Sequence, residues 1–426
     1  MKVIAATGSA HISPATLVIL AGVCAALHIG KLPPALPVLR ETLDISLVQA
    51  GFLLSLVQLA GMTLGLAVGL AADGWGLKRS LTTGLLLLSA ASVAGAWMQS
   101  VPALLVLRAV EGFGFLLVTM PAPGLIRKWV PARRLSVMLG LWGTYMPLGT
   151  ALSLLTGPVV IDLLGWQGWW GLMGLLTLAM TAWAWRGIPA DLSSPASLSA
   201  QQPQTVWKAR LYRTLSTPGP WLVALCFAMY SSQWLAVIGF LPTIYSQTGW
   251  SAGVTAWLTA GVAGVNMLGN VASGKILQRG VLPHRLLIVG FFVMGICVLG
   301  AYATWPLSAQ GHGLPASVRL ACLMIFSMVG GVIPGTLFTL AVKAAPDEGT
   351  VSTTVGWMQQ WSALGQFCGP PLVAWVAGRV GGWQWTWAMT GASCVLGVAL
   401  SLMLARLKKR PHIDKMPLMP HPETPK

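Results

Sequence analysis

The sequence predicts an all-α integral membrane protein whose twelve transmembrane helices form two related six-helix halves, and three observations carry that prediction. Hydrophobic residues make up 55% of the chain and charged residues only 8%, with a mean hydropathy of +0.73. A water-soluble domain needs roughly a quarter of its residues charged to coat its surface, so the solvent for most of this chain is lipid. The basic residues gather on one set of short loops. Several sequence landmarks return about half a chain length later.

The apolar stretches approach the ~20 residues that cross a hydrocarbon core. They place spans at 14–38, 47–70, 80–98, 102–124, 135–158, 167–186, 219–243, 252–273, 285–305, 318–342, 351–376 and 385–405. The residues before the first span, Met1 to Ser13, have no apolar region separate from it, so a retained first helix is expected rather than a cleaved leader.

A formal net charge of +16 suits a nucleic-acid partner until its distribution is read. With both termini on one side, that side collects Lys78, Arg79, Arg127, Lys128, Arg133, Arg134, Lys208, Arg210, Arg213 and most other basic residues. The opposite loops hold Arg40, Arg319 and Arg379. By the positive-inside rule both termini are cytoplasmic. The charge reports orientation, and no nucleic-acid partner is expected.

The repeat organises the chain. Gly157-Pro158 in the fifth span returns as Gly369-Pro370 in the eleventh, and Trp166-Gln167 with Trp169 returns as Trp383-Gln384 with Trp385. The loop from Gly69 to Lys78 has a weaker counterpart at Gly274 to Gly280. Such repeats are a signature of secondary transporters. The expected organisation is a first bundle at 1–187, a cytoplasmic loop with Pro195 and Pro203 at 188–218, a second bundle at 219–406 and a tail at 407–426.

Three motifs give the chain a family resemblance over nearly its whole length. The loop Gly69-Leu-Ala-Ala-Asp73-Gly74-Trp75-Gly76-Leu77-Lys78-Arg79 is similar to a signature of the major facilitator superfamily, departing from it at Gly74, where a basic residue is usual. Arg108-Ala-Val-Glu111-Gly112-Phe-Gly114 resembles that family's fourth-span element, and Gly149, Gly157 and Pro158 partly match its antiporter pattern. The resemblance implies a bacterial transporter of the inner membrane, working by alternating access on a small solute.

Each motif also has a physical reading. Asp73 in the second loop is placed to accept from backbone amides or a basic side chain, making with Gly69, Gly76, Lys78 and Arg79 a gating latch. A surface contact worth on the order of 1 kcal/mol can break in every cycle. Gly61, Gly65 and Gly69 share one face of the second span and permit close helix packing. Most of the 21 tryptophans read as an interfacial belt, Trp166, Trp169 and Trp170 among them, with Trp234 and Trp361 as mid-span candidates for a ligand cavity.

Ionisable residues well inside spans are few: Lys31, Arg108 and Glu111, with His28 one turn from Lys31. Charges in lipid cost several kcal/mol, so these must face one another or a watery cavity. Lys31 and the Arg108/Glu111 pair fall at similar depth on antiparallel spans. Two roles follow, a packing ion pair or a substrate and coupling site in which Glu111 carries a proton. Gln58, Tyr145, Tyr230, Gln233, Trp234, Asn266 and Gln359 offer neutral groups to a central site.

One acid among two bases favours a small organic or inorganic anion, with proton coupling. Efflux of drugs or metabolites is the alternative within transport, and a transporter-like membrane sensor is the alternative in another class. Cys24, Cys226, Cys297, Cys322, Cys368 and Cys394 lie in spans without paired spacing. With no zinc, nucleophile-elbow or phosphate-loop motif, neither an enzyme nor a metal or other cofactor is expected. The protein is expected to be monomeric.

Overall fold

The computed structural model describes residues 12–190, 205–246, 249–305, 312–347 and 350–407. Twelve membrane spans, α1–α12, order them. They are α1 Pro14–Thr42, α2 47–75, α3 Leu77–Gly95, α4 Val101–Trp129, α5 132–164, α6 166–187, α7 Pro218–Ser246, α8 Ala252–Gln278, α9 Pro283–Tyr302, α10 Ala316–Ala344, α11 Val351–Val380 and α12 Thr386–Leu407. Among the described residues nine helices are long and apolar enough to cross a membrane. One of these, Met138–Gly187, is α5 and α6 run together across Gly165, whose φ of 71° turns the chain back. Two further helices, α3 and α11, complete the twelve.

Local chemistry sets the ends and breaks. Ser13 caps α1 ahead of Pro14, and Ser46 with Gln49 closes a capping box on α2. Within α1, Pro33 and Pro34 lack the amide protons that would close onto Ile29 and Gly30. The helix is interrupted at Lys31. A 3₁₀ turn, Leu56–Gln58, interrupts α2. A helix Thr205–Leu215 occupies part of the expected central loop, whose residues 191–204 lie outside the description, as does the tail beyond 407.

Helices α1–α6 form one bundle and α7–α12 the other, and the halves meet along α2–α11, α5–α8 and α1–α7. Each half has its own apolar core, the first around Leu85, Val118 and Ile126, the second around Phe291, Phe326 and Ile333. A third cluster crosses between halves at the end away from the basic loops, joining Leu36, Leu53 and Trp169 to Phe240 and Val373.

Two sequence readings change here. Trp166, Trp169 and Trp170 are no interfacial belt: they are at most 3% exposed and lie in that third cluster, because α6 turns them inward against α1. Gly140, which with Thr144 reads in the sequence as a close-packing pair like the glycines of the second span, packs against nothing, since a Cβ there would meet open space.

The seam between α2 and α11 is close along its length because small residues face it. A Cβ on Gly51 would meet the Pro371 backbone at 2.8 Å, and one on Gly61 the Ala363 side chain at 2.9 Å. Gly65 sits over Gln360, and Gly356 over Leu66. Gly61 and Gly65 of the glycine stripe therefore pack against the other half.

Candidate functional site

Two polar sites occupy the middle of the molecule. The first surrounds the break in α1, where side chains of three other helices donate to backbone carbonyls. Ser153 Oγ donates to Leu27 O at 3.1 Å, Arg108 Nη1 to His28 O at 2.8 Å and Trp169 Nε1 to Lys31 O at 2.9 Å. Helices α5, α4 and α6 thus each supply one donor. Arg108 Nε also donates to Leu53 O, at the 3₁₀ interruption of α2.

Glu111 sits between two cations in the same site. Lys31 Nζ pairs with its Oε1, and Arg108 Nη1 with its Oε2 at 2.6 Å. Lys31 also donates to Ser92 Oγ at 2.8 Å and lies 4.7 Å from the Trp170 ring centroid. Thr177 gives its own proton to Met173 O, so at 2.7 Å it accepts from His28 Nε2, leaving Nδ1 facing Lys31. These four residues are at most 1% exposed. The cluster keeps a formal charge of +1.

The second site is a cavity of about 100 Å³ between the halves. Gln58, Phe115, Trp142 and Tyr145 line it from the first half, and Tyr230, Trp234, Asn266, Asn270, Gln359 and Gln366 from the second. None of Lys31, His28, Arg108 and Glu111 reaches its wall. Gln233 is also elsewhere, because its amide donates to Met229 O and accepts from Cys394 Sγ at 3.1 Å, which turns it toward α12. Trp361 packs on Trp221 and Trp357 instead of the cavity.

Both walls carry aromatic rings, Phe227, Tyr230, Trp234 and Phe338 among them on the second half, and the second half adds an amide network. On the first half, Trp142 stacks on Tyr145 with centroids 4.4 Å apart and planes at 18°, and Phe115 adjoins Tyr145 at 6.3 Å. On the second half, Asn266 Nδ2 donates to Tyr230 Oη at 3.0 Å and to Ser327 O at 2.7 Å. Asn270 Nδ2 donates to Asn266 Oδ1 at 2.9 Å, and Trp234 Nε1 to Ser327 Oγ at 3.2 Å. One wall hydrogen bond crosses between halves, from Gln58 Nε2 to Gln366 Oε1 at 3.0 Å. Among the described residues no protein group hydrogen-bonds the Tyr145 hydroxyl or the Gln359 amide.

Sequence reasoning missed Trp142, Asn270 and Gln366. Spacing held the signal for two of them: Asn270 is one turn from Asn266, and Gln366 two turns from Gln359, on the same helix faces.

In the loop between α2 and α3, Gly76 has φ 103° and ψ 128°, a left-handed conformation that the tight reversal requires. Lys78 Nζ donates to Trp185 O at 2.7 Å, near the end of α6, while Arg79 is exposed. The side chains of residues 69–75, Asp73 among them, lie outside the description. Gly76→Ala is expected to cost about 1–3 kcal/mol through backbone strain, read as a lower midpoint of thermal unfolding in detergent; an unchanged midpoint would remove the strain argument.

Comparison with known proteins adds three findings. The model of the Major Facilitator Superfamily matches residues 18–364. The chain is 28% identical over 393 residues to the 2-nitroimidazole transporter of Escherichia coli K12, covering 87% of this chain and 88% of that one. It is 26% identical over 405 residues to the 4-hydroxybenzoate transporter PcaK of Pseudomonas aeruginosa, covering 87% and 86%. Among solved structures, a bacterial homologue of the human lysosomal transporter Spinster, inward-facing and unoccupied, superimposes with a TM-score of 0.74 at 16% identity, over 94% of this chain and 99% of that one.

Proposed function

This chain belongs to the Major Facilitator Superfamily, and we propose that as a transporter it carries a small planar organic solute, preferably an anion, through the central cavity by alternating access. The observation that supports this most is the cavity wall, shared by the halves, with aromatic rings on both sides and most of its amides on the second half. A flat ring suits the Trp142–Tyr145 stack, and its oxygen-bearing group suits the amides opposite. Among the described residues the wall holds no acid to attract a cation. The buried cluster lies one turn along α4, Glu111 being four residues before Phe115, and its net positive charge favours an anion. At about 10 Å with an effective dielectric near 20 that preference is about 2 kcal/mol.

The names of the relatives agree with such a solute, since 4-hydroxybenzoate and 2-nitroimidazole are both flat rings bearing polar oxygens. The Gln58–Gln366 bond supplies a link between binding and movement. A solute acceptor that takes the Gln58 amide proton removes a contact holding the halves together. The proposed setting is the bacterial inner membrane with both termini cytoplasmic, and the Asp73 loop acts there as the gating latch.

Uptake into proteoliposomes of 4-hydroxybenzoate, 2-nitroimidazole, a hexuronate and a cationic dye tests this reading. Aromatic solutes should be favoured, and preference for the dye would overturn it. Tyr145→Ala should raise KM for the aromatic solute about three- to tenfold, the worth of one stacking contact, while Tyr145→Phe should leave it nearly unchanged. Coupling to protons is tested by imposing a pH gradient. Because both Glu111 oxygens are held by cations off the wall, the proposal gives this cluster to the frame of the first half, not to solute contact.

A further inference from the structure

Beyond the solute site, we propose that Gln360 is the residue that positions α2 against α11 at the basic end of the seam and so sets how readily that end opens. The inference rests on the halves separating during transport but not on the solute's identity. Gln360 belongs to the second half, yet both ends of its amide bond the first. Nε2 donates to Met62 O at 2.8 Å, and Oε1 accepts from Leu66 N at 3.3 Å. Those two backbone groups are the i and i+4 partners of one helical turn. A single side chain therefore grips a turn of α2 by both poles.

The surrounding sequence permits this grip. The Cβ of Gln360 would lie 3.6 Å from a Cβ at Gly65, in van der Waals contact, so the two helices are close enough here for the amide to reach across. Gln360 does not line the cavity, whereas its neighbour Gln359 does. The Gln58–Gln366 bond is two turns farther from the basic loops and lies on the wall, where solute can compete for it. Gln360 is out of the solute's reach. The seam thus has one contact that solute can exchange and a second that must yield afterwards. A neutral amide suits the second task because its bonds to backbone are worth about 0.6–2 kcal/mol in a membrane, strong enough to bias the closed seam and weak enough to release.

Cysteines at Leu66 and Gly356, whose side chains would face each other across the seam, report closure by their rate of disulfide formation in membranes. Introducing Gln360→Ala into the Leu66→Cys/Gly356→Cys protein should slow that rate about three- to tenfold. Gln360→Asn, which keeps the amide but is one methylene too short to grip α2, should slow it similarly. Equilibrium binding of 4-hydroxybenzoate should change less than twofold while the maximal uptake rate changes more. Should Gln360→Ala fold poorly, judged by monodisperse elution, Gln360→Asn carries the test. Cross-linking as fast in a folded variant as in the parent would overturn the proposal, as would a parallel loss of binding. If no solute is transported at all, the cross-linking comparison still stands or falls alone.

Discussion

Replacing Glu111 with Gln is expected to destabilise the protein by about 3–5 kcal/mol, because it leaves Lys31 and Arg108 buried with like charge and no counter-ion. Both carboxylate oxygens are engaged, and the three charged side chains are at most 2% exposed. Water cannot take over. The loss should show as a large fall in the thermal midpoint and in the yield of monodisperse protein. Lys31→Met in the same chain removes one of the stranded cations while keeping a side chain of similar length, so the double variant should recover part of the loss. A coupling of 0.5–3 kcal/mol is the usual range for contacting residues. Additive losses in the double variant would show that the ion pair does not hold these helices together. If Glu111→Gln instead folds normally but no longer responds to a pH gradient, the carboxylate belongs to coupling rather than to the frame.

The second large effect is expected at Asn266. Its side chain makes three of the hydrogen bonds that shape the amide wall, and Asn266→Ala removes all three, leaving Ser327 O only Gly331 N and the Asn270 amide only the Asn266 carbonyl. Solute uptake should fall at least tenfold, and quenching of the wall tryptophans by solute should weaken in proportion. Stability should fall by only about 1–2 kcal/mol, since membrane hydrogen bonds average well under 1 kcal/mol each. Asn270→Ala, which removes one of those bonds, should have a smaller effect. Full activity in Asn266→Ala would move the solute site away from this wall.

Particular residues show what the sequence made legible. The cost of charge in lipid was enough to bring Lys31, His28, Arg108 and Glu111 together, because depth along a helix can be counted. Direction around a helix was harder to read. Gln233 and Trp234 are neighbours 100° apart, yet one faces α12 and the other the cavity. In a span coated by lipid on one side and helices on the other, both sides are apolar. The same ambiguity separates Gln359 on the wall from Gln360 on the seam. Trp169 looked interfacial because it lies near a span end, and only the folded chain shows that α1 has a carbonyl there awaiting its indole. The glycine stripe announced a close contact without naming α11 as the partner.

The broken first helix also bears on how the chain enters the membrane. When α1 leaves the ribosome, Lys31 has no counter-ion, and its insertion costs about 2.5–3.5 kcal/mol at mid-helix on biological scales. Glu111 arrives some eighty residues later, already one turn from Arg108 on its own helix. Until then the nascent α1 carries an unmatched charge, and the side chains that bond its backbone at the break, Arg108, Ser153 and Trp169, are not yet made. Biogenesis of the first half is therefore cooperative across four to six helices, and a chain arrested after α3 should remain beside the insertion machinery.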